Sequence, residues 1–357
     1  MVSTCGRLFE SAMLTKFLLL GESSGSRPSS SSVHQAQAKV IRFDDAIEIW
    51  STAFSADGKH VVTGGDEGVI RFWQVEDGVE ADTPRPMDAE DPICNVAVSR
   101  DERWIVCGTV KGLLQIWDTM ENGGDETFQA HTGCVNAVDV SPDSTRIASG
   151  SSDKTAYVWS LSTDEQLLGP WKHDSSVVAV KFSPNGRFIA TAARALSCYH
   201  ANAVRVYDGS RDNHLLFDVP VKVISSSNQS LAWSSNSKQL FALSYNSKIY
   251  CLDLSTRRVS EWRIHSNSPG CIALASNDAF IAASSTSSVS FWDTTTRNQI
   301  GSVKMYGVKS VAISANYDIA IGSNKEIRLF RLSDILPSSY VSMLASGLGF
   351  VKFKPCR

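Results

Sequence analysis

Seven times along this 357-residue chain, a run of apolar and β-branched residues ends in a bulky residue and a turn. The endings are Trp73, Trp117, Trp159, Tyr207, Leu252, Trp292 and Phe330, spaced by 44, 42, 48, 45, 40 and 38 residues, so one unit is repeated in tandem. A unit of that length cannot bury its own apolar face and must stack against its neighbours, which makes the fold an array. Such arrays offer broad surfaces and favour a binding scaffold over an enzyme.

The third unit shows the pattern most clearly. Strand-like runs at Glu126–Gln129, Cys134–Val140, Arg146–Gly150 and Thr155–Leu161 alternate apolar with polar residues, and His131-Thr-Gly, Ser-Pro-Asp143 and Ser-Ser-Asp153-Lys separate them. Gly, Pro, Ser and Asp are the residues that end strands and form turns, so the unit predicts one small four-stranded antiparallel sheet.

Several copies of this unit carry family-like strings. They include Ser-Gly-Ser-Ser-Asp-Lys-Thr-Ala-Tyr-Val-Trp-Ser (149–160), Leu-Gln-Ile-Trp-Asp (114–118), Val-Ser-Phe-Trp-Asp (289–293), Val-Ala-Val-Lys-Phe-Ser-Pro-Asn-Gly (178–186) and Thr-Ala-Phe-Ser-Ala-Asp-Gly (52–58). Over residues 38–332 the chain resembles the WD40-repeat family. The resemblance implies an all-β fold, a β-propeller of seven four-stranded blades around a central channel. It also implies a structural tetrad of His, Ser or Thr, Asp and Trp within a blade, which the third repeat carries in full as His131, Ser149, Asp153 and Trp159. At the Asp position the other repeats depart from the pattern, with Glu67, Lys111, Asn246, Thr286 and Asn324, while His173 and His265 keep the first member in the fourth and sixth.

Aligning Ser55 with Ser141 puts Ala38–Phe43 where an outer strand would stand, so this segment is expected to complete the last blade. Residues 1–37 form a Ser-rich leader, expected to be disordered. Its Gly21-Glu-Ser-Ser-Gly25 partly matches a nucleophile elbow and a phosphate loop, but Pro28 and a serine run follow where either motif needs a helix. Residues 333–357 form a tail in which Gly349–Pro355 resembles the start of an eighth repeat.

Composition sets further limits. A net charge of −3 gives no general reason to expect nucleic acid or an anionic membrane as partner. No stretch approaches the roughly 18 apolar residues of a membrane span. The eight cysteines contain no CxxC pair and several sit in strand-like runs, which fits reduced thiols in the cytoplasm or nucleus. No constellation of nucleophile and base or of metal ligands is visible, so no catalytic residue, cofactor or metal is expected; Cys198 and His200 lack two further ligands.

Other proteins or peptides are therefore the expected partners, bound by a monomeric propeller acting within a complex. Three surface features are candidates. The fourth repeat is enlarged at Arg194–Asn202, which brings Arg194, Tyr199 and His200, and a long connection holding Lys222 follows it. Aligned inner-strand positions at the channel mouth give Trp50, Cys94, Asn136, Val178 and Lys309. Residues 74–126 carry thirteen acidic and four basic side chains, a surface for a basic peptide. The alternative function is a propeller hydrolase, or a propeller holding a small ligand in its channel.

Overall fold

The computed structural model describes residues 38–42, 48–81, 87–89, 91–120, 125–194, 203–210, 214–220, 229–244, 246–264, 270–275, 277–285, 287–316, 318–323 and 326–340, all within the compact unit Ala36–Arg357. Their strands form seven four-stranded antiparallel sheets, the blades of a β-propeller. The inner strands are Ile49–Phe54, Ile93–Val98, Val135–Val140, Val177–Phe182, Leu231–Trp233, Ile272–Leu274 and Val308–Ile313. Each packs on its successor, and the last packs on the first, so the ring closes.

The recurrent bulky residue has one place in every blade. It is the fifth residue of the third strand, and it pairs across the sheet with an aliphatic residue of the second strand. The pairs are Val61 with Trp73, Ile105 with Trp117, Ile147 with Trp159, Ile189 with Tyr207, Leu240 with Leu252, Ile281 with Trp292 and Ile319 with Phe330. All fourteen are buried, so the sequence period marks a buried cross-strand pair.

The core lies between consecutive sheets. Val62 and Ile70 of blade 1, for example, pack with Ile93, Val96, Ile105 and Trp117 of blade 2. Where blades approach most closely, the second strand carries glycine. A Cβ on Gly108 would lie 2.5 Å from Val135 Cγ1, and one on Gly150 would lie 2.6 Å from Val177 Cγ1, so the next blade's inner strand occupies that space.

The turns between inner and second strands form a second ring of contacts. In these turns a serine hydroxyl donates to an Asx side chain and accepts the amide of the following strand, as Ser55 does with Asp57 (2.7 Å) and His60 (3.0 Å). The residue next in the turn is left-handed at Gly58, Glu102, Ser144, Gly186, Ser237 and Asp278. Several reach back to the preceding blade: Glu102 accepts the Asp57 amide, Ser144 the Asp101 amide, Ser237 the Asn185 amide and Asp278 the Ser235 amide. Asn316 donates to the Asp57 carbonyl at 3.0 Å, carrying these links from blade 7 to blade 1.

Lys39–Arg42 pairs antiparallel with Glu326–Arg331 and supplies the outer strand of the last blade, as the alignment of Ser55 with Ser141 predicts. Ile41 anchors it, buried among Trp73, Ala320, Ile327 and Leu329. At the other end, Leu332 and Leu336 fold back into the cluster of Phe280, Phe291 and Met305, and the Tyr340 hydroxyl donates to Asp293 at 2.6 Å. The beginning of the C-terminal tail therefore packs against blade 6. The leader and Gly349–Pro355 lie outside the described residues.

Candidate functional site

The buried network of blade 3 has the parts of a hydrolytic triad and a different use. His131 Nδ1 lies 3.0 Å from Asp153 Oδ2, and its Nε2 lies 2.8 Å from Ser149 Oγ, which also accepts the Trp159 indole N–H at 2.8 Å. Burial pulls the imidazole below its ordinary pKa against the opposing pull of Asp153, so the ring is neutral near pH 7. The carboxyl of Asp153 stays low despite burial, held by Thr155, His131 and the Thr132 amide. A nucleophilic serine must face substrate, whereas Ser149 is fully buried and accepts the indole hydrogen bond. The network thus joins two strands and a loop inside the blade.

The hydroxyl position of this network is graded around the ring. By register it is Thr63, Cys107, Ser149 and Thr191 in blades 1–4, then Ala242, Ala283 and Ile321 in blades 5–7. Thr63 accepts from Trp73 at 3.0 Å, and Thr191 pairs with His173 at 3.1 Å. In blade 2, where Ala89 stands in the histidine place, Gln115 bridges the gap by donating to the Ala89 carbonyl and accepting from the Cys107 thiol. Blade 6 moves the acceptor onto the third strand, where Ser290 takes the Trp292 indole at 2.8 Å.

The channel mouth is built by a repeated backbone irregularity. In five inner strands the register slips by one residue near the entry, at Trp50, Cys94, Asn136, Val178 and Lys309, the five aligned positions. An extra residue of this kind leaves the ladder and re-aims its side chain. Asn136 and Cys94 reach the entry of the next blade: Asn136 Nδ2 donates to the Val177 carbonyl at 2.8 Å, and Cys94 Sγ lies 2.8 Å from Cys134 Sγ. Val178 is buried instead. Lys309 is exposed on blade 7, and Trp50 on adjacent blade 1 is half-buried with its indole N–H 3.3 Å from Glu48. Tyr306, in the connection leading to Lys309, is 77% exposed; sequence reasoning missed it because it lies outside the aligned strand positions.

The other candidates divide. Arg194 closes the second strand of blade 4, its amide bonded to the Ser176 carbonyl. Tyr199, His200 and Lys222 lie outside the described residues, as does most of the enlarged loop. In the acidic region, Glu80 pairs with Arg71 at 3.1 Å, and Lys111 Nζ lies 3.4 Å from Asp91. Part of that negative charge is therefore balanced within the fold, and Glu76, Asp77 and Asp88 remain exposed.

Seven blades around a channel, with inward bulges and a buried polar network, define a β-propeller repeat protein. The sequence profile described as "WD domain, G-beta repeat" matches residues 39–74, 87–118, 125–160 and 166–215, so residues 39–215 are built of repeats of the WD40 family. The profile covers blades 1–4, where the network position is polar or a thiol, and ends where it becomes apolar.

Among curated proteins, the chain is similar to apoptotic protease-activating factor 1 of Rattus norvegicus, 31% identical over 143 residues that make 39% of this chain and 11% of that one. It is 23% identical to the protein LST8 homolog of Drosophila melanogaster over 44% of this chain and 52% of the relative. It is 27% identical to protein HIR1 of Eremothecium gossypii over 41% of this chain and 22% of the relative. The match thus spans about half of one relative and a quarter or less of the others. WD40 propellers are generally non-catalytic scaffolds that bind other proteins.

Proposed function

We propose that this chain is a protein-interaction scaffold whose strand-entry face holds a segment of a partner protein across the channel mouth at blades 7 and 1. The observation that carries the reading is the set of inner-strand bulges, which turn Trp50 and Lys309 out of the ladder on adjacent blades. With the exposed Tyr306 they supply two aromatic surfaces and a cation, the amphipathic chemistry that anchors protein interfaces. The second strand of blade 4 ends at Ala193 on the same face, where the enlarged segment Arg194–Asn202 begins. The general scaffold role of the family supports the reading, and the buried Ser149 argues against using the blade 3 network for hydrolysis. The same reading sets the chain in the cytoplasm or nucleus, as a monomeric propeller within a larger complex.

The test is Trp50→Ala, read twice. Unchanged thermal unfolding with loss of captured partner proteins supports recognition by the indole. A large fall in unfolding temperature assigns Trp50 to packing, and full retention of partners removes it from the interface.

A further inference from the structure

We propose that Cys94 and Cys134 are a redox-active thiol pair that closes to a disulfide between blades 2 and 3, an oxidant-sensitive modification site at the channel mouth. Among the five described cysteines only these two are partly exposed. Cys107, Cys251 and Cys271 are buried, and burial pushes the thiols of Cys107 and Cys251 above their ordinary range, which keeps them protonated and inert.

The fold brings the pair together by a particular device. Cys94 is the bulge residue of its inner strand, so its side chain leaves the ladder and turns to the entry of the next blade, where Cys134 stands. The sulfur atoms are 2.8 Å apart. Their neighbours Ile93 and Val135 are fully buried, and the space where Gly108 lacks a side chain is filled by Val135. The Cys134 carbonyl accepts the Ser152 amide at 2.9 Å. Both backbones are thus held in place, and bond formation needs only a small shift of the side chains. The Cys94 thiol can donate to Cys134 and lowers its pKa, against burial and the charge of Asp91, so the Cys134 thiolate forms more readily than that of an ordinary thiol.

The oxidant is a hydroperoxide, hydrogen peroxide being the simplest. The Cys134 thiolate attacks one peroxide oxygen, the O–O bond breaks, and the departing hydroxide takes up the proton that the thiol had released. The Cys94 sulfur then attacks the resulting sulfenic sulfur, forming the S–S bond, and the sulfenic oxygen leaves as water with the Cys94 proton. Two thiols and one peroxide give one disulfide and two waters, and a dithiol reductant reverses the change by exchange.

The experiment uses the full chain and a full-length variant with Cys5, Cys198 and Cys356 replaced by serine. Each is titrated with hydrogen peroxide, blocked with a maleimide and mapped by non-reducing mass spectrometry. The expected result is a cross-linked peptide pair containing Cys94 and Cys134, a mass lower by two hydrogens, and recovery of both thiols on reduction. In Cys94→Ser the cross-link is absent and Cys134 is trapped by dimedone as the sulfenic acid. The proposal is overturned if both thiols stay open to maleimide at peroxide doses that oxidise other cysteines. It is equally overturned if Cys94 and Cys134 pair with other cysteines rather than with each other.

Discussion

Replacing Ser149 with alanine removes the hydroxyl that joins His131 to Trp159 while changing little else in blade 3. The hydroxyl has two partners at 2.8 Å, the imidazole Nε2 and the indole N–H. Both rings are buried, so water does not readily replace the lost hydroxyl. An orphaned buried polar group costs roughly 1–3 kcal/mol, so two such groups and a small cavity should cost about 3 kcal/mol. For a protein of this size that corresponds to a fall of about 4 °C in Tm. Trp159→Phe removes one donor and leaves the Ser149–His131 bond, so it should cost less from the polar network. The double variant should be less destabilised than the sum, because the orphaned indole is gone. Circular dichroism melts and urea unfolding of the four proteins measure these quantities. A cost below about 0.5 kcal/mol for Ser149→Ala, or full additivity, would refute the claim that the tetrad is a coupled structural network.

Three further outcomes are expected. His173 is buried beside Thr191, and burial with Arg205, against the pull of Asp174, brings its pKa from 6.5 to about 4. The unfolded chain therefore binds the proton first, stability falls as pH drops from about 6.5 to about 4 by on the order of 3 kcal/mol, and His173→Gln should flatten that limb in pH-dependent urea unfolding. Ile41→Ala should cost about 2–4 kcal/mol in the same assay, since it empties the anchor of the ring-closing strand; removal of residues 1–42 should likewise lower Tm well below that of a chain lacking residues 1–30. Gly150→Ala sets a methyl 2.6 Å from Val177 and should cost about 1–3 kcal/mol, whereas loss below about 0.5 kcal/mol would mean that the seam between blades 3 and 4 is loose.

Much of the scaffold is legible in the sequence because each recurring bulky residue fills a buried place that demands it. Trp73 through Phe330 give the blade count, and the Ser55–Ser141 alignment gives the ring-closing strand. The spacing of His131, Ser149, Asp153 and Trp159 gives the polar network by family likeness. Less legible is anything decided between blades. The bulges at Trp50, Cys94 and Lys309 arise from how an inner strand pairs with its neighbour, a relation that side-chain alternation does not encode. The Cys94–Cys134 approach joins residues 40 apart that belong to different sheets. Gln115 and Ser290 replace lost tetrad members from positions where the usual spacing gives no reason to look. The acidic region is likewise less free than its composition suggests, because Arg71 takes up Glu80 and Lys111 takes up Asp91 only once the blades are folded.

The interaction face itself is tested most directly by comparing opposite ends of the same ring. Full-length protein, a Trp50→Ala/Lys309→Glu variant, a variant lacking residues 194–202, and a control with Arg100→Glu and Lys238→Glu in the turns of the other face would be matched for thermal stability and used for quantitative partner capture. The mouth variant should lose affinity at least roughly tenfold, on the order of 1.4 kcal/mol, while the control retains its partners. Partners held by the mouth variant as tightly as by the unaltered protein, or lost only by the control, would contradict it.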